Sequence, residues 1–177
     1  PGEIGALTSL QTLILEGCSG LRALPVEIGA LTELKKLNLK GCKGLRALPG
    51  EIGALRALQT LNVGDCSGLE ALPVEIAELT GLQKFDLGCS ALHTPPPQVV
   101  RAGQAAVQEF LRDLAQDSLP QMHELDLRER SMTALPEWLW KQRGLQTLDL
   151  GGCSRLGGLP AEIGGLTGLQ TLNLRRC

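Results

Sequence analysis

Aromatic side chains are nearly missing from this chain: its 177 residues include two Phe, two Trp and no Tyr. A core of that size must therefore be almost purely aliphatic. A basic surplus is missing as well, and the formal charge of −2 leaves nothing to neutralise a phosphate backbone, so no nucleic acid partner is expected. No apolar run approaches the ~18 residues of a membrane span, and the first residues show no charged start ahead of an apolar signal core. No membrane association is expected. There is no CxxC pair, and no GxxxxGK[ST] phosphate loop occurs anywhere in the chain. His93 and His123 are the only histidines, and no Ser, His and Asp fall at a readable catalytic spacing. An enzyme, a cofactor and a metal site are all unexpected on these grounds.

What the chain does contain is repetition. The pair Leu-Pro occurs at Leu24-Pro25, Leu48-Pro49 and Leu72-Pro73, and again at Leu135-Pro136 and Leu159-Pro160, with 24 residues between copies inside each run. The copies LTSLQTLILEGCSGLRALPVEIGA and LTELKKLNLKGCKGLRALPGEIGA reduce to the unit LxxLxLxxCxxLxxLPxEIGxLTx. A unit of this length and pattern is that of a leucine-rich repeat. The expected fold is an α/β leucine-rich repeat solenoid, a horseshoe with a parallel concave sheet and short helical turns on its convex side. Alternation at Leu13, Ile14 and Leu15 gives one strand per repeat. The same register places seven strands near 10–15, 34–39, 58–63, 82–87, 122–127, 145–150 and 169–174, expected to form one continuous sheet. Leu24, Ile28 and Leu31 lie three and four residues apart and turn inward from a single helical or 3₁₀ turn after the proline. Both ends of the chain fall inside a repeat, so residues 1–177 read as one repeat domain cut from a longer protein.

Cys18, Cys42, Cys66, Cys89, Cys153 and Cys177 all occupy the same repeat position. In leucine-rich repeats that position is Asn or Cys, turned inward to bond backbone groups. Six thiols of that kind are expected rather than disulfides, and they suit a reducing, cytoplasmic setting. LNLKGCKGLRALPGEIGALRALQTLNVGDCSGLEALP resembles the cysteine-type repeats of plant intracellular immune receptors, and it resembles the repeats of Roco-family GTPases almost equally. PPPQVVRAGQAAVQEFLRDL resembles the segment that closes the repeat array in Roco proteins ahead of their GTPase domain. Here the repeats resume after it instead, with MHELDLRERSMTALPEWLW. The resemblance implies a protein-interaction scaffold within a larger, Roco-like signalling protein, with an immune-receptor repeat domain as the alternative.

That same segment interrupts the period. Strand starts at 82 and 122 lie 40 residues apart rather than 24, and the surplus falls in 97–116. Val99, Val100, Gly103, Val107, Phe110, Leu111 and Leu114 recur at helical steps, with Arg101, Gln104, Gln108 and Arg112 opposite. The spacing predicts one long amphipathic helix on the convex side.

Two surfaces are candidates for binding a protein partner. On the concave face the outward strand positions are Lys36, Asn38, Lys40, Asn62, Lys84, Asp86, Glu124, Asp126, Arg128, Asp149 and Asn173, with lysines toward the first half and acids toward the second. Their alternative role is a solvated polar sheet face. On the convex side Trp138 and Trp140 flank Leu139, which takes the inward place of Ile28. These indoles either form a docking patch or receive the apolar stripe of the helix near Phe110. The sequence leaves the partner and the oligomeric state open.

Overall fold

In the computed structural model residues 2–88 and 91–177 are described, and Cys89 lies outside them. Seven three-residue strands follow in order: β1 (Thr12–Ile14), β2 (Lys36–Asn38), β3 (Thr60–Asn62), β4 (Lys84–Asp86), β5 (Glu124–Asp126), β6 (Thr147–Asp149) and β7 (Thr171–Asn173). All pair in parallel, with Leu13, Leu37, Leu61 and Phe85 in register, and Leu125, Leu148 and Leu172 in register. The strands are half the expected length because the middle residue alone alternates cleanly. Beyond each one, pairing dwindles to single bonds such as Leu15 N–H to Asn38 O.

After each Leu-Pro or Pro, EIG-type segments form 3₁₀ turns at Val26–Ala30, Gly50–Ala54, Val74–Glu78, Glu137–Lys141 and Ala161–Gly165. The preceding proline sets an extended residue with φ near −70° and cannot continue a helix backwards. These turns stack directly on one another. A Cβ on Gly29 would meet Glu51 O at 2.9 Å, and one on Gly53 would meet Glu75 O at 2.9 Å. Glycine is needed there for close approach rather than for its dihedral freedom. At the equivalent place in the fourth repeat stands Ala77, and its turn is covered by a helix instead of another turn.

The predicted single helix is two. α1 (Pro97–Arg101) and α2 (Gln104–Ala115) meet at Gly103, whose φ of 101° and ψ of −179° lie in a region only glycine occupies at low cost. Gly103 falls in step with the apolar stripe, yet it is where the helix breaks. Gln104 and Gln108 do not face away from the repeats either. They donate to Leu82 O (2.6 Å) and Leu79 O (3.1 Å), so α2 is fastened to the fourth repeat by two amides as well as by Val107, Phe110 and Leu111.

The sheet is also not continuous. β1 to β4 form one sheet and β5 to β7 a second. With α2 lying over the fourth 3₁₀ turn, the fifth repeat cannot stack there as the earlier ones do, and no ladder joins β4 to β5. Side chains connect the two arrays instead. The Trp138 indole N–H donates to Thr94 Oγ1 at 2.9 Å, and its ring meets Phe110 edge-on, with centroids 5.5 Å apart and planes at 82°. Within the second array, Gln142 takes the place of an inward leucine and accepts the Met122 N–H at 2.8 Å, while Gln121 donates to Lys141 O. Throughout, one cluster of buried apolar side chains, Phe110 and Trp138 among them, runs from Leu24 to Leu166 across the joint.

Tight stacking of the 3₁₀ turns predicts an asymmetry between two small substitutions. Gly53→Ala drives a methyl into Glu75 and is expected to cost about 1–3 kcal/mol. Ala77→Gly, facing α2, is expected to cost no more than ~1 kcal/mol. Urea denaturation of the two variants measures both, and equal losses would show that the turns are not in contact.

Candidate functional site

The outward face of the strands is built by the turn that ends each one. Every residue of the Asn/Asp ladder accepts a hydrogen bond from the backbone N–H two residues on: Asn38 from Lys40 (3.0 Å), Asn62 from Gly64 (2.9 Å), Asp86 from Gly88 (3.2 Å), Asp126 from Arg128 (3.0 Å), Asp149 from Gly151 (2.9 Å) and Asn173 from Arg175 (3.1 Å). A short polar side chain at a strand exit mimics a turn in this way. The ladder therefore owes its Asn and Asp to local backbone satisfaction. The row is visible in the sequence but its reason is not, although the signal is present as Asn or Asp two residues before the turn in every copy but the first, which has Ile14 there.

What remains uncommitted on this face is charge. Lys36, Lys40 and Lys84 are exposed, and among the described residues no acidic group pairs with them. The second half is less acidic in effect than its sequence. Arg128 holds Asp126 through both carboxylate oxygens, at 3.0 and 2.8 Å, and approaches Asp149 at 3.8 Å. That hydrogen bonding is the main cause holding the Asp126 carboxyl below its usual range. Of the three acids expected to oppose the lysines, only Glu124 is exposed and without a partner among the described residues.

The thiols sit where the repeat places them. Cys42, Cys66, Cys153 and Cys177 donate to the carbonyls of Leu15, Leu39, Leu127 and Leu150, each one repeat back, at 3.1, 3.1, 3.2 and 3.1 Å. Burial pushes the Cys42 and Cys153 thiols up, which keeps them protonated and unreactive. Cys18 and Cys177 are exposed.

On the convex side the two indoles part company. Trp138 is 5% exposed and belongs to the core, which removes it from the surface patch in which it was grouped with Trp140. Trp140 is half-buried and walls a cavity of about 630 Å³ shared with Leu135, Glu137, Lys141 and Pro160. Its bulk occupies the place of the stacking glycine, so the fifth and sixth 3₁₀ turns hardly touch. Among the described residues no three His, Cys, Asp or Glu side chains are grouped to hold a metal, and no helix is long and apolar enough to cross a membrane.

His93 lies behind the joint. Burial first, and the charge of Arg130 second, lower its pKa to about 4. Its imidazole is therefore neutral near pH 7, and the 3.9 Å approach to Glu70 is not an ion pair. An unfolded histidine titrates near 6.5, so between about 6.5 and 4 the unfolded chain binds a proton that the folded chain does not. The stability linked to His93 is complete above pH 6.5 and is lost as pH falls toward 4. Denaturation at pH 7 and pH 5 is expected to show a loss of ~1–2 kcal/mol from this group, at 1.36 kcal/mol per pKa unit crossed, and a smaller loss in His93→Gln. An identical loss in the variant would assign the acid sensitivity elsewhere.

Comparison with known proteins agrees with the repeat and with no finer identity. The Leucine Rich Repeat family model matches residues 144–166. No curated protein sequence matches significantly. Among solved structures the chain is similar to a leucine-rich repeat protein of Leptospira interrogans, at 25% identity over 99% of this chain and 63% of that one, with a TM-score of 0.43. It is also similar to the leucine-rich repeat domain of the type III effector XopL, at 26% identity over 98% of this chain and 55% of that one, with a TM-score of 0.48. The chain thus spans less than two thirds of the length of either. Parallel three-residue strands, short turns, inward cysteines and the match at 144–166 together give a fold of the leucine-rich repeat type.

Proposed function

We propose that this chain is a protein-interaction scaffold that docks a protein partner along the concave face of its strands. Leucine-rich repeat proteins generally serve as such scaffolds, and the face has the physical character the role needs. The observation that carries the reading is the row of Lys36, Lys40 and Lys84, exposed and without acidic partners among the described residues, on a face whose Asn and Asp groups are already satisfied by backbone. Uncommitted cations on a rigid lattice steer an acidic partner and fix its register more than they add affinity. Asn38, Asn62, Asp86, Asp149 and Asn173 shape the face, and Glu124, Asp126 and Arg128 supply its mixed-charge second half. Trp140, beside its cavity, offers a second contact region on the convex side.

The parent protein is proposed to be a larger, Roco-like signalling protein, or alternatively an immune receptor, on the sequence resemblance alone. Residues 1–177 are proposed to act as one repeat domain with 97–116 as its insertion. A cytoplasmic setting is the reading that suits the inward thiols.

Reversing Lys36 and Lys40 together to glutamate tests the docking face. Pull-down with the intact chain, followed by titration of the captured partner, is expected to show that association of the unaltered chain weakens as salt rises from low to physiological strength, where the Debye length is about 8 Å, and that the double reversal lowers affinity and flattens this salt dependence. The melting transition should move by no more than the ~0.5 kcal/mol typical of surface changes. Unchanged partner affinity would remove this face from consideration.

A further inference from the structure

The fifth repeat departs from the cysteine rule. Setting its ELDLRER against KLNLKGC of the second repeat puts Arg130 where Cys42 stands. The turn keeps its shape, since the residue before each is left-handed, with φ of 58° at Glu129 and 70° at Gly41. An inward thiol can end on the carbonyl of the preceding repeat. A guanidinium is longer, and its charge cannot be left in an aliphatic layer.

The gap between the two sheets gives it somewhere to go. Arg101 at the end of α1 joins Asp126, Arg128, Glu129 and Arg130 around a cavity of about 370 Å³. Arg130 is half-buried, and its Nε is shielded from solvent with no hydrogen-bond partner. Its proton affinity is lowered first by burial and then by the positive charge of Arg101. Asp126 offers incomplete relief, because Arg128 already takes both of its oxygens. Two guanidinium groups thus share one cavity, and one of them has an unmade donor.

We propose that Arg101 and Arg130 form a subsite for a single oxyanion, the carboxylate or phosphate of an acidic peptide segment. Planar guanidinium donors match the paired oxygens of either group. Asp126 and Glu129 on the cavity wall oppose a continuous polyanion, so the site takes one anionic anchor rather than a phosphate backbone. The subsite rests on the reading of the strand face as a docking surface and supplies that surface with a fixed point.

The test uses the intact chain, with the arginine Nε–H resonances followed by NMR at constant ionic strength. N-acetyl-tetraglutamate amide is the carboxylate probe and inorganic phosphate the phosphate probe. Saturable shifts at Arg130 and Arg101 are expected with at least one of them, and the tighter probe identifies the anchor chemistry. Arg101→Gln changes an exposed residue and should weaken that probe by about threefold or more. Arg130→Met keeps an inward side chain without charge and should abolish the saturable shift at Arg101. No saturable shift at either arginine up to on the order of 10 mM probe, or a shift that Arg101→Gln leaves unaltered, would overturn the subsite. If the lysine reversals weaken the partner while neither probe moves the arginines, the subsite falls and the docking face stands. If the probes saturate while the partner ignores Lys36 and Lys40, the subsite stands and the docking face moves away from those lysines.

Discussion

No single repeat here can cover its own leucines, and that constraint governs the rest of the structure. Along the central strand position, Leu13 is half-buried, Leu37 and Leu61 are fully buried, Leu148 is fully buried, and Leu172 at the last strand is 37% exposed. The side chain is the same throughout, and only the presence of a neighbour on each side changes. Full burial of a leucine contributes about 1.5–3 kcal/mol, so the gain belongs to the interface between repeats. The glycines of the second and third turns, Gly29 and Gly53, follow from this, because turns that bring leucine layers into contact leave no room for a Cβ.

An interruption of such an array must replace both what the next repeat would bury and what it would bond. Residues 92–122 do so with different chemistry. Val107, Phe110 and Leu111 cover the fourth turn, Gln104 and Gln108 take its carbonyls, and Trp138 reaches back to Thr94. Gln142 gives up an inward leucine position to satisfy Met122. The hydrophobic layer is thereby carried across while the backbone ladder is not. That mismatch opens the sheet and leaves an arginine where the period would place a cysteine.

The period, the strand positions, the inward cysteines and the amphipathic character of 97–116 were legible because each depends on residues a few positions apart. The split of the sheet was not, since preserved strand patterns at 82–87 and 122–127 say nothing about whether the two strands meet. The break at Gly103 was hidden by its position in step with the apolar stripe. Ala77 and Trp140, in place of the stacking glycine, mark both sites where the turns cease to pack, a sign that becomes readable once the glycine's role is known. The Asn and Asp ladder looked like a surface and proved to be a set of turn caps. Arg130 stood in the cysteine column of the fifth repeat, but its meaning depended on the cavity beside it.

Native-state hydrogen exchange of Trp138→Ala tests most directly the claim that side chains, not the sheet, couple the two arrays. The informative amides are Leu39 and Val63 in the first sheet and Leu127 and Leu150 in the second, all bonded to the following strand. Removing the indole is expected to lower the protection of Leu127 and Leu150 by up to ~3–5 kcal/mol, while Leu39 and Val63 keep most of theirs. A uniform fall at all four amides would mean that the array opens as one continuous unit, and the account of the joint would be wrong.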